Sequence, residues 1–88
     1  MPYITQQQRL KFNKHIKALA KEIEFTGDCN YVITSLIHHF IVKNKVCYDT
    51  FNSAIGILEC AKQELYRGII GPYEKMKKDS NGGLTIIR

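Results

Sequence analysis

The sequence predicts a mainly α domain: three principal helices, a kinked or broken C-terminal extension, and a short terminal β segment. Three observations carry this. Apolar residues recur at helical spacing in three separate stretches. Each stretch is bounded by its own start and stop residues. The last residues change to a Gly-rich turn followed by β-branched side chains. All 88 residues are read as a single domain, 1–88, because a chain of this size supports only one small core.

The first helix is predicted to start at Gln6. In Thr5-Gln6-Gln7-Gln8 the Thr5 hydroxyl can accept the Gln8 amide while the Gln8 side chain returns to the Thr5 amide, which is a capping box. Phe12, Ile16, Leu19, Ala20 and Ile23 fall on one face, with Lys14, Lys17 and Lys21 roughly opposite. Asn13 is a candidate second cap, dividing a short first turn from a helix over Lys14 to about Phe25. Thr26-Gly27-Asp28 then supplies a stop and a start, with Gly27 in the left-handed conformation and Asp28 capping the next helix.

The second helix is predicted from about Cys29 to Lys43, with Ile33, Leu36, Ile37, Phe40 and Ile41 on its main face. Its opposite side, with Tyr31, Ser35, His38 and Val42, is not polar enough to face water throughout. That double face predicts a homo-oligomer with Tyr31, His38 and Val42 at the contact. After a short link the third helix is predicted from about Phe51 to Ile70, capped by Asp49 or Thr50, with Phe51, Ala54, Ile55, Leu58, Ala61, Leu65 and Ile69 in one stripe. Pro72 lacks an amide hydrogen and restricts Gly71, so Tyr73 to Asp79 is either a kinked continuation or a separate turn with Pro72 at its first position. Ser80-Asn81-Gly82-Gly83 signals a turn, and Leu84 to Ile87 reads as a strand whose nearest available partner is Pro2-Tyr3-Ile4.

The net charge of +5 is carried by one end of the chain. Arg9, Lys11, Lys14, Lys17 and Lys21 precede the first acidic residue, Glu22, and from there on acidic and basic residues balance. This points to an anionic partner on the N-terminal side: nucleic acid, a phosphorylated ligand or an acidic protein. No apolar run approaches a membrane span and no signal-peptide h-region follows the basic start, so a soluble protein of a reducing compartment is expected. Cys29, Cys47 and Cys60 form no C-x-x-C pair, which argues for free thiols over a disulfide framework or zinc knuckle.

Lys62 stands inside the apolar stripe of the third helix. Either its stem packs on the core while its head pairs with Glu59, or Lys62, Tyr66 and Arg67 line a pocket for a phosphate or other anion, the guanidinium forming a bidentate fork. Asn30 and Asn52, near helix starts, either satisfy backbone amides or join exposed amides in holding an anionic ligand. Lys14, Lys17 and Lys21 are the candidate nucleic-acid face, suited to phosphate contact without base readout. A helix-turn-helix is disfavoured, because the second helix is too apolar to serve as its recognition helix. His38-His39 has the wrong spacing for chelation on a helix, so no metal and no cofactor is expected. No nucleophile elbow, phosphate loop or diagnostic acid pair marks a catalytic site.

Several motifs together resemble a known family. They are Met1-Pro-Tyr-Ile, Gly27-Asp-Cys-Asn-Tyr-Val-Ile-Thr with Ile37-His38, Tyr48, Asn52, Ile55-Gly-Ile-Leu-Glu-Cys-Ala-Lys62, Glu64-Leu-Tyr-Arg67 and Pro72-Tyr-Glu. The resemblance is to small uncharacterised proteins of bacteriophages, prophages and bacteria, and it covers nearly the whole chain. It implies a phage setting in the bacterial cytoplasm, where small basic helical proteins act on host machinery or host defence, and it names no activity. Members of that family often end in an acidic tail after Pro72-Tyr-Glu, where this chain has Lys75, Lys77 and Lys78. The expectation is a small non-enzymatic binding protein engaging an anionic partner, either a nucleotide-like ligand or a host defence or regulatory component. The alternatives are a sequence-nonspecific nucleic-acid binder acting through the basic first helix, and a small enzyme of unrecognised type.

Overall fold

A computed structural model of the chain describes residues 2–84. Within these residues four α-helices follow in order: α1 (Gln6–Glu22), α2 (Thr26–Asn44), α3 (Tyr48–Leu65) and α4 (Gly71–Asn81), with one π turn, Tyr66–Ile70, joining α3 to α4. The mainly helical class is as expected. Among the described residues there is no strand. Pro2-Tyr3-Ile4 is in no sheet, and residues 85–87 of the expected β segment lie outside the described residues.

The Thr5 capping box forms as the sequence predicts: the Thr5 hydroxyl accepts from the Gln8 amide at 3.2 Å, and Gln8 Oε1 accepts from the Thr5 amide at 3.1 Å. Asn13 caps nothing, and α1 runs unbroken to Glu22, since an Asn inside a helix with good formers on both sides costs only a few tenths of a kcal/mol or so. The expected Gly27 stop is corrected too. α2 begins at Thr26 instead of Cys29, and Gly82 is the one described glycine with positive φ. Asp28 sits in the first turn, where its carboxylate reaches back to accept from the Glu24 and Phe25 amides at 3.0 and 3.1 Å. Asp28 thus supplies the returning half of a capping box from inside the first turn, while Phe25 at the N-cap has no hydroxyl to supply the other half.

α3 starts at Tyr48, three residues earlier than expected, and its N-cap is Cys47 instead of Asp49 or Thr50. The Cys47 sulfur and the Thr50 hydroxyl lie 3.5 Å apart, and the Cys47 side chain makes no capping bond to the backbone. At the other end the chain passes Gly71-Pro72 without breaking: Leu65, Tyr66, Ile70 and Gly71 are all right-handed helical. Pro72 offers no amide to the carbonyl four residues back and its ring crowds that carbonyl. The helix widens instead, with the Gly71 amide donating to the Tyr66 carbonyl five residues earlier, the π bulge that relieves such clashes. A Cβ on Gly71 would lie 3.1 Å from the Tyr66 oxygen, so glycine fits this close turn best. The 34 residues from Tyr48 to Asn81 thus form one rod of about 51 Å at helical rise, matching the molecule's long axis of 49 Å.

Packing around this rod is sparse. Among the described residues, the one substantial helix contact outside the rod's own joints is α2 against α3, and only Thr50 and Ala54 are buried. A folded monomer of 10.2 kDa exposes about 5,300 Å², whereas this chain exposes 8290 Å². The five terminal residues outside the described range account for at most about 840 Å² of that surplus at the unfolded-chain rate. The radius of gyration is 17.3 Å against about 12 Å for a compact domain of this length. The apolar stripes read from the sequence are therefore real helical faces that the single chain leaves largely uncovered.

Candidate binding surfaces

α1 presents its lysines to solvent. Lys11, Lys14, Lys17 and Lys21 are all exposed, and among the described residues the ion pairs are Lys62–Glu59 and Lys75–Asp79, neither of which involves α1. Lys14, Lys17 and Lys21 lie within about 60° of one another around the helix and span about 10.5 Å along it. No acidic residue occurs in α1 before its last position, Glu22. The result is a continuous positive strip with no internal counter-charge. The α1 cation best held in place is Arg9, whose Nε donates to the Ile4 carbonyl at 2.9 Å.

That bond helps fold the N-terminal segment back across the molecule. Tyr3 donates its phenolic hydrogen to Glu64 Oε1, laying Pro2–Ile4 between α1 and the C-terminal half of α3. Grooves open on both sides of this strap, one lined by Arg9, Phe12, Ile16 and Glu64, the other by Glu59, Cys60, Gln63 and Arg67. The carboxylate on its hydroxyl raises the Tyr3 phenol above its ordinary value, outweighing the opposite pull of Arg67 and Arg9. The contact joins residues 61 apart in sequence, so no local pattern announces the strap.

The residues expected to form one anion pocket are distributed differently. Lys62 and Tyr66 share an open groove of about 310 Å³ with Gln63, Leu65 and Ile70, near the lower limit for small-molecule sites. Arg67 lines the neighbouring groove beside Tyr3 instead. The Lys62 ammonium lies 3.2 Å from Glu59. A hydrogen bond from Gln63, and then the Lys62 charge, hold the Glu59 carboxyl below its usual range. Tyr66 donates to Glu74 across the π turn at 3.1 Å, and that bond raises its phenol. Asn30 accepts from Thr34 within α2 at 3.1 Å, Asn52 is exposed on α3, and neither lines the Lys62 groove.

On α2, Tyr31 and Val42 are 72% and 73% exposed, and His38 is exposed on the same side. Cys29, Cys47 and Cys60 are free thiols. The Thr50 hydroxyl and nearby backbone amides lower the Cys47 thiol. Among the described residues no three His, Cys, Asp or Glu side chains gather as a metal-ligand set, and no helix is long and apolar enough to cross a membrane.

The geometry therefore offers one extended cationic strip, a tyrosine strap between shallow grooves, and unusually open apolar helix faces. The chain belongs to the family described as Domain of unknown function (DUF6899), whose profile matches residues 1–84. No curated protein and no solved structure gives a significant match.

Proposed function

We propose that the chain is a non-enzymatic binding protein that engages an anionic partner through the lysine strip of α1. The observation that supports this reading is the set of four exposed α1 lysines without a carboxylate partner among the described residues, on a helix whose only acidic residue is its last. Clustered like charge raises the local potential and attracts a counter-charged surface. An extended polyanion suits a strip of about 10.5 Å better than a mononucleotide does. The motif resemblance to small phage and prophage proteins supports a bacterial host cytoplasm as the setting, with nucleic acid or an acidic host component as the partner. A nucleotide-like ligand in the Lys62–Tyr66 groove is the second reading, favoured by the two side chains sharing that groove. It requires the Lys62–Glu59 pair to open.

The test is retention on immobilised heparin with elution by a salt gradient. Wild type should elute well above physiological ionic strength, and Lys14→Gln/Lys17→Gln/Lys21→Gln should elute early while Lys62→Gln/Arg67→Gln changes little. Equal retention of wild type and the α1 triple variant would remove the strip from the reading. Selective loss in the Lys62/Arg67 variant would move the site to the groove.

A further inference from the structure

We infer that α3 is the core of a two-fold antiparallel coiled coil with a second copy of this chain, and that Lys62 fixes its orientation. The inference is independent of the anion reading, which concerns α1. Tyr48, Phe51, Ile55, Leu58, Lys62, Leu65 and Ile69 follow one another in alternating steps of three and four, the a/d repeat of a coiled-coil seam, with Lys62 the only charged member. This seam is turned by about 90° from the line through Thr50 and Ala54, the two residues buried among those described. The seam lies open: Tyr48 is 81% exposed, Ile55 67%, Leu65 50% and Ile69 66%. It runs through α3 as far as Leu65, and its last step, to Ile69, falls inside the π turn that changes the phase of the helix.

The occupant follows from area and charge. After allowance for the chain ends, each copy carries about 2,100 Å² more surface than a folded monomer of its mass. Obligate homodimers bury roughly 1,000–2,500 Å² per partner, so one further copy is sufficient to cover the surplus. A closed two-fold contact requires a self-complementary patch, and a uniform apolar seam with one lysine is self-complementary in one orientation only. Parallel and in register, two Lys62 ammoniums would meet inside the seam. Antiparallel, with Ile55 opposite the partner subunit's Leu65, Lys62 faces the partner subunit's Leu58, where its stem packs and its head has a carboxylate adjacent at the partner's Glu59. A single lysine at such a position is a known way of specifying register at some cost in stability, and antiparallel helices also oppose their dipoles.

The experiment is disulfide mapping of Ile55→Cys/Leu65→Cys in a Cys60→Ser background. Within one chain these positions are about 15 Å apart along the helix, beyond the reach of a disulfide, so any link is between copies. Mild oxidation followed by peptide mass mapping should show links between 55 and 65. Links of 55 to 55 and 65 to 65, or none, would overturn the arrangement. Ile55→Glu and Leu65→Glu change side chains that a self-contained monomer leaves in water, so each should convert a two-chain mass to one chain by light scattering. A dimer that survives both and dissolves with Tyr31→Glu or Val42→Glu would assign the contact to α2 and also overturn the proposal.

Discussion

Neutralising the α1 lysines should change how binding responds to salt as well as how tight it is. If the partner is duplex nucleic acid, each lysine on a phosphate releases condensed counterions and contributes about 0.9 to the slope of log affinity against log salt. Lys11, Lys14, Lys17 and Lys21 are exposed and unpaired among the described residues. Four such contacts give a slope of about −3.6, a loss of roughly 150-fold between 50 and 200 mM salt. Lys14→Gln/Lys17→Gln/Lys21→Gln leaves one contact, a slope of about −0.9 and a loss of only about 3.5-fold over the same range. Fluorescence anisotropy with a labelled 20-base-pair duplex measures both slopes, and a single-stranded probe should give about −2.8 for wild type at 0.7 per phosphate. Parallel salt plots for wild type and variant would refute the phosphate-contact reasoning, because the removed charges would then have released no ions.

Thr5→Ala removes the hydroxyl half of the α1 capping box and should destabilise the fold by about 1 kcal/mol, a fall in melting temperature of roughly 4–8 °C by circular dichroism. The lowered Cys47 thiol should alkylate with iodoacetamide at a pH below that of an ordinary cysteine. Thr50→Val should move this profile upward, since it deletes the hydroxyl that favours the thiolate. Tyr3 has its phenol raised by Glu64, so the strap's contribution is fully present below the phenol's ordinary value of 10.0 and is lost as pH rises beyond it. Tyr3→Phe should abolish that alkaline transition in ultraviolet absorbance. Pro72→Ala restores a backbone amide and should raise helicity around the bulge, measured as slower hydrogen exchange over Tyr66–Tyr73.

Local signals were legible in the sequence, and the arrangement of helices was not. Thr5 and Gln8 announce α1 because both capping bonds join residues three apart. Gly27 has the look of a stop, yet α2 starts ahead of it because the Asp28 carboxylate holds the Glu24 and Phe25 amides from inside the first turn. Pro72 marked the joint with α4, but whether a helix breaks or widens there depends on Gly71 admitting the Tyr66 carbonyl. The lysine strip follows from periodicity alone. Grouping Lys62, Tyr66 and Arg67 assumed one face, whereas neighbouring positions on a helix point about 100° apart, and Arg67 joins Tyr3 instead. The Tyr3–Glu64 contact depends on where the segment ahead of α1 lies against α3, which no spacing within one helix encodes.

Concentration dependence of thermal unfolding tests most directly the claim that this chain completes its core with a second copy. For two chains unfolding together, a hundredfold increase in concentration adds about 2.7 kcal/mol by mass action. Divided by the unfolding entropy of two such chains, this raises the melting temperature by roughly 7 °C. Melting curves at 5 and 500 μM should therefore separate by about that amount. Coincident curves would show that the single chain closes its own core, contradicting the account.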